Sequence, residues 1–136
     1  MNTGRLRQEI LRVFGEIEEL KTELISRKPM LRGTVYELKR KCGRPTCRCV
    51  RKGQLHKQVC IAITRDGKKR LMPIRADKQA EMIKLNEFHR QFRKARARFI
   101  QLSRKVVELS TQLETEQLKT GDRIIEKQQS MRKKRK

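Results

Sequence analysis

Cys42-Gly43-Arg44-Pro45-Thr46-Cys47-Arg48-Cys49, with Gly53 and His56 close behind, is the segment that decides how this chain is read. Its spacing, C-x4-C-x-C-x6-H, gathers three thiols and an imidazole into fifteen positions broken by Gly and Pro. Sulfur and imidazole donors at this density suit a tetrahedral zinc ion, so Cys42, Cys47, Cys49 and His56 are the expected ligands. Gly43 and Pro45 allow a tight turn between the first two thiols. Four protein ligands leave no open position for an activated water, so the expected ion, one Zn2+ per chain, is structural. Cys60 competes with His56 for the fourth place. It falls in a strand-like run with Val59, Ile61 and Ile63 on one face and Cys60 and Ala62 on the other, where a small buried residue is the favoured reading.

On the N-terminal side, Leu6, Ile10, Val13, Ile17, Leu20 and Leu24 follow spacings of 4, 3, 4, 3 and 4, the a/d pattern of a coiled-coil seam. Leu11, Phe14 and Ile25 widen that stripe, Thr3 is the expected N-cap, and Pro29 disfavours helix at Lys28, which predicts a helix over 1–28. On the C-terminal side, Phe88, Phe92, Ala95, Phe99, Leu102, Val106, Leu109 and Leu113 keep the same alternation. They predict a second helix over 77–119, with Asp77 as its N-cap and Gly121 at its end. Its distal turns, from Val106 to Leu118, outreach the shorter helix and are expected to be covered by a second copy of the chain in a homodimer. Residues 120–136, closing on Arg-Lys-Lys-Arg-Lys, read as a solvated basic tail.

Between the helices, over 29–76, the period changes. Gly33–Leu38, Val59–Thr64 and Lys69–Ile74 read as strands, and Asp66-Gly67 between the last two is a type I′ hairpin signal. The thiol-rich stretch occupies the connection between the first two strands. That loop is too polar to fold unaided, and a structural zinc can supply on the order of 10 kcal/mol. The expected fold class is therefore α+β: a long two-helix coiled-coil stalk with a small zinc-stapled antiparallel β head inserted between the helices.

The composition agrees with a thin core. Only 35% of the 136 residues are hydrophobic and 4% aromatic, while 37 Lys and Arg against 15 Asp and Glu give a net charge of +22. Such a charge draws polyanions. No segment approaches about 18 apolar residues and no export signal is visible, so a membrane partner is not expected and a reducing cytoplasm is. Within residues 28–75, fifteen basic residues face only Glu37 and Asp66, a net +13 that three thiolates and one Zn2+ lower by one. Lys39, Arg40, Lys41, Arg44, Arg48, Arg51, Lys52, Lys57, Lys68, Lys69 and Arg70 are the candidate nucleic-acid contacts, since Arg forks and Lys ammoniums suit phosphate. Tyr36 is the single tyrosine and Trp is absent, which disfavours recognition by base stacking and favours duplex backbone and groove contacts. A catalytic constellation is not visible: there is no P-loop, no Gly-rich dinucleotide turn and too few acids for a two-metal nuclease. His89, amid Phe88 and Arg90, reads as a surface or seam residue.

The span from Leu31 to about Arg75 resembles a family of short bacterial proteins of unknown function. The shared pattern is R-G-[ST], C-G-[KR]-P-x-C-x-C, G-x-x-H, an aromatic-rich hairpin and a closing Pro. Arg32, Gly33, Thr34, Cys42, Gly43, Arg44, Pro45, Cys47, Cys49, Gly53, His56 and Pro73 match it. The family usually follows its His with Gly-Pro-Tyr, where this chain has Lys57-Gln58-Val59. Members are often encoded near transposable elements, so the resemblance implies a metal knot and a link to mobile DNA.

Together these readings point to a non-catalytic, zinc-stapled DNA-binding accessory protein, homodimeric and nucleoid-associated, working beside a transposase, recombinase or similar enzyme. Two alternatives stand beside it: a coiled-coil adaptor between proteins, and a binder of structured RNA.

Overall fold

The computed structural model describes residues 2–135; Met1 and Lys136, at the outer ends of the expected first helix and basic tail, lie outside it. The chain is α+β. In order it forms α1 (Thr3–Leu24), β1 (Thr34–Arg40), α2 (Arg48–Arg51), β2 (His56–Arg65), β3 (Lys68–Pro73), a 3-10 turn (Ala76–Lys78) and α3 (Gln79–Arg135). Ser26–Arg93 form one compact unit, and the segments up to Ile25 and from Lys94 onward form another.

In the Ser26–Arg93 unit the strands pair antiparallel in the order β1-β2-β3. The β2–β3 turn has φ of 53° at Asp66 and 75° at Gly67, both positive as a type I′ turn requires. This turn sets the register, pairing Arg65 with Lys68 and Ile61 with Met72, while β1 pairs Thr34 with Ala62 and Arg40 with His56. β1 ends two residues beyond its expected bound, β2 begins three earlier and ends one later, and β3 begins one earlier, because ladder pairing carries polar residues such as Lys39 and Lys57 that no hydrophobic alternation marks. β1 begins one residue later, at Thr34, and β3 ends one sooner, at Pro73. Ile61 is fully buried, and Cys60 and Ile74 nearly so.

The sheet is tied to the start of α3 through a buried polar side chain. The Asn86 amide donates to the carbonyls of Leu31 at 3.1 Å and Gly33 at 2.8 Å, and the Leu31 N–H donates to the Leu85 carbonyl at 3.1 Å. These bonds satisfy backbone groups just before β1 that no ladder reaches. Gly33 itself has φ of +107°, and a Cβ there would lie 2.5 Å from the Ala62 carbonyl oxygen. Both the dihedral and the close approach demand glycine.

In the other unit, Leu6 and Val13 of α1 and Leu102 and Leu109 of α3 form a buried cluster, with Ile10, Ile17, Leu20, Val106 and Leu113 packed against it. Glu16 pairs with Arg98 at 3.2 Å, and Glu9, held low chiefly by its bond to Arg12, also feels Lys105. Val106 and Leu113 are half-buried against this cluster, while Leu118, in the same stretch, is exposed. Residues 79–93 of α3 belong to the sheet-bearing unit, so α1 meets the helix later than its start. Leu24, Phe88, Phe92 and Phe99 stand outside the cluster; Phe88 lies in the sheet-bearing unit with the Lys28 ammonium 4.7 Å over its ring. Leu11, Phe14 and Ile25 do not widen the stripe but are exposed.

The helix ends differ from expectation. Asn2, not Thr3, caps α1, accepting the Gly4 N–H at 2.7 Å. Asp77 does not cap α3: its carboxylate accepts from Arg75 at 3.2 Å, and a 3-10 turn intervenes. Nor does α3 stop at Gly121; it continues through Arg135. A helix-terminating glycine adopts positive φ, which Gly33, Gly43, Gly53 and Gly67 do and Gly121 does not. The following Glu, Lys, Gln, Met and Arg are good helix formers, and one internal Gly costs only about 1 kcal/mol.

Candidate metal centre

The four expected ligands come from four local structures. Cys42 follows β1, Cys47 occupies the N-cap position of α2, Cys49 lies within α2, and His56 opens β2. Arg40 and His56 are partners in the ladder, so the β1–β2 pairing brings Cys42 and His56 to the same sheet end. The loop between them then folds back through two glycines with positive φ, Gly43 at 82° and Gly53 at 69°. Neither has a neighbour within 4 Å of a Cβ position, so conformation rather than space requires them. Within this loop the Cys47 N–H donates to the Arg44 carbonyl, and Val50 and Arg51 donate to Cys47, turning Arg48–Arg51 into one helical turn.

The donor atoms of Cys42, Cys47, Cys49 and His56 all lie within 4.8 Å of one another. Cys42 Sγ is 3.5 Å from Cys49 Sγ, and Cys47 Sγ is 3.0 Å from His56 Nε2. A tetrahedron with Zn–S of about 2.3 Å has edges of about 3.8 Å, so the gathered atoms span the size of a four-ligand metal site. The four side chains can hold a metal ion. All four cysteines are free thiols. Cys60 sits apart in β2, paired with Tyr36 and buried, its Sγ 4.0 Å from the Gln58 carbonyl oxygen.

Backbone dipoles already favour ligand chemistry. The Arg44 N–H, followed by the Cys47 thiol, holds the Cys42 thiol below its ordinary range, and the Cys49 N–H, followed by His56, does so for Cys47. Cys49 is the opposite case: the Cys42 N–H, 3.5 Å from its sulfur, pulls it down, but burial and the two neighbouring thiols push it up on balance. N–H groups aimed at sulfur are the contacts that orient metal thiolates and neutralise part of their charge.

Of the cationic candidates, those from Lys39 to Lys57 flank this centre, whereas Lys68, Lys69 and Arg70 lie at the opposite end of the sheet, beside the β2–β3 turn. Lys39, Arg40, Lys41, Arg44, Arg48, Arg51, Lys52, Lys57, Lys68, Lys69 and Arg70 are all exposed. Among the described residues none of them forms an ion pair. Arg40, Lys41 and Lys57 line a groove of about 530 Å³ beside Cys42 and His56. On α1, by contrast, Arg12 is neutralised by Glu9 and by Glu16 at 3.1 Å. Sequence reading missed α2 and the Asn86 anchor. His89, expected at the surface or in a seam, is half-buried and lines a surface cleft with Thr34, Tyr36 and Arg93. No described helix is long and apolar enough to cross a membrane.

A sheet-bearing unit that gathers a Cys3His cluster able to hold a metal ion defines a small α+β domain. Residues 5–82 match the family described as a domain of unknown function, DUF6788, and the chain belongs to that family. No curated protein and no solved structure matches the chain.

Proposed function

We propose that this protein is a non-catalytic, zinc-stapled DNA-binding accessory protein. The observation that carries the reading is a set of eleven exposed basic residues without ion-pair partners among the described residues, eight of them, from Lys39 to Lys57, flanking a four-donor metal cluster and three, Lys68, Lys69 and Arg70, at the far end of the same sheet. Folding normally pairs or disperses charges this dense, and leaving them unpaired destabilises the free protein by self-repulsion. A polyanion relieves that repulsion, and a clamped loop holds Arg forks at fixed angles toward phosphate. Zinc is the ion that best suits three thiolates and one imidazole in a closed tetrahedral site. Closure gives the ion a structural role and no bound water to activate.

In this reading α1 and the distal part of α3 pair antiparallel as a coiled-coil stalk. The buried Leu6, Val13, Leu102 and Leu109 support it, as does the Glu16–Arg98 bridge. Beyond α1, Leu118, Ile124, Ile125 and Met131 are exposed, and they supply the apolar positions for a second copy. Association with a transposase or recombinase on the nucleoid is supported by the resemblance to proteins encoded beside transposable elements.

Fluorescence anisotropy with a labelled duplex, in parallel with a hairpin RNA, tests the reading. Duplex affinity should fall steeply between about 50 and 200 mM salt, as counterion release requires. An affinity flat over that range removes the phosphate-contact mechanism, and preference for the hairpin moves the target to RNA.

A further inference from the structure

A second cationic cleft lies on the sheet, away from the metal. Its volume is about 530 Å³, and its lining includes Arg32, Lys69 and Arg93, the imidazole of His89, and the hydroxyls of Thr34 and Thr64. No carboxylate lines it. Arg32, Lys69 and Arg93 are exposed and form no ion pair among the described residues. Glu37, the one acid in β1, falls on the other face by strand alternation, since Tyr36 and Thr34 share the cleft face. Three cationic groups with an imidazole and two hydroxyls converge here from the β1 lead-in, β2, β3 and α3, which sequence distance alone could not reveal. Small organic ligands favour apolar walls. A cleft of this chemistry favours a tetrahedral oxyanion: guanidinium and ammonium supply charge, and hydroxyls and imidazole N–H supply directed donors.

We infer that this cleft is a phosphate-binding site. Its place in the sheet favours a polynucleotide backbone as the source, and in that respect the inference rests on the nucleic-acid reading. Thr34 opens β1 at the cleft, and Arg40 closes it at the metal-side groove. Both lie on the same face, as do their ladder partners Ala62 and His56. The two cationic sites are thus the ends of one seven-residue strand, about 20 Å apart at ~3.3 Å per residue. At ~3.4 Å per nucleotide along one strand, that spacing corresponds to about six phosphates. One sheet face then grips a strand at two points, with the metal fixing one end and Asn86 fixing the backbone beside the other.

The test uses the full chain, the triple variant Arg32→Ala/Lys69→Ala/Arg93→Ala, and the charge-conserving pair Lys69→Arg/Arg93→Lys. Two readouts run on each: the salt slope of duplex binding, and the NMR shift of the His89 ring on adding inorganic phosphate, read separately from that of His56, the only other histidine, which lines the metal-side groove. The wild type should show a phosphate-dependent His89 shift. The triple variant should lose it, bind duplex at least tenfold more weakly at about 100 mM salt, and lower the slope by about 2 to 3. The charge-conserving pair should keep both. A lost His89 shift with unchanged duplex slope supports the site with free phosphate as its source. An unchanged shift and slope in the triple variant overturns the inference, and wild-type duplex affinity then reports separately on the wider nucleic-acid reading. Metal content measured on every variant shows that the fold is intact.

Discussion

Replacing Cys49 by Ser removes the one candidate ligand that is fully buried. Its sulfur accepts the Cys42 N–H at 3.5 Å and lies 3.5 Å from the Cys42 sulfur, so it joins the segment after β1 to α2. Structural zinc sites bind with apparent free energies of about 10 to 16 kcal/mol, or roughly 3 kcal/mol for each of four ligands. Serine keeps the approximate volume but, as a neutral hydroxyl, is a poor zinc ligand, so most of that share is lost. The expected consequence is metal affinity about 100-fold weaker. Competition against a chromophoric chelator measures it, and cobalt substitution should show weaker sulfur-to-metal absorption. Cys60→Ser serves as the internal contrast: its sulfur faces the Gln58 carbonyl outside the cluster, so affinity should stay within a few-fold of wild type. Because His56 is paired with Arg40, Cys49→Ser should also speed hydrogen exchange at that end of the β1–β2 ladder more than at the Thr34–Ala62 end. If Cys49→Ser leaves metal affinity unchanged while Cys60→Ser lowers it, the assignment of Cys49 as a ligand in preference to Cys60 is wrong.

Three further outcomes follow from the same geometry. In the metal-free protein, alkylation on lowering the pH should persist longest at Cys42 and Cys47, whose lowered pKa values keep thiolate present in more acidic solution; Cys49 should lag, and added metal should protect all three. Peptide mapping after iodoacetamide reads the order, and uniform labelling of the four thiols contradicts it. Gly33→Ala should destabilise the protein by about 2 kcal/mol or more, since a Cβ would stand 2.5 Å from the Ala62 carbonyl oxygen at a φ of +107°; chemical denaturation gives the value, and a neutral result removes the claim that this glycine fixes the start of β1. Gly121→Ala should do the reverse, raising helix content and stabilising α3 by about 1 kcal/mol, because nothing lies within 4 Å of its Cβ position and its backbone is helical. Loss of helicity in that variant would mean that α3 ends at Gly121 in solution.

The parts of this molecule written in short-range chemistry were legible in the sequence. Asp66-Gly67 declared its hairpin because only a few residue pairs accept two positive φ values in succession. The thiols and His56 declared a cluster because their density has few other physical uses. Heptad spacing likewise marked Leu6, Val13, Leu102 and Leu109, which pack together. What was hidden depends on contacts between distant residues or on elements too short to show a period. Arg48–Arg51 form a single turn, created by the demand that Cys47 and Cys49 turn inward together. Asn86 looked like an ordinary helix residue, and its role emerges only when Leu31 and Gly33 arrive with unpaired carbonyls. Gly121 misled because a helix-ending glycine and a tolerated internal one share the same letter; the strong helix formers after it decided the outcome. Phe88 and Phe92 continued the heptad in sequence but fall in the unit that contains the sheet, so periodicity overran the partner that gives it meaning.

In the proposed function, an ion held by Cys42, Cys47, Cys49 and His56 keeps the loop between them in shape, so that the cations beside it meet a polynucleotide in fixed positions. The direct measurement is one preparation of the full chain, weighed by native mass spectrometry and titrated with duplex before chelation, after chelation, and after zinc is restored. The account predicts one zinc per chain, at least a tenfold loss of affinity on chelation, and recovery on adding zinc back. A metal-free protein that binds duplex with the same affinity and the same salt slope contradicts it.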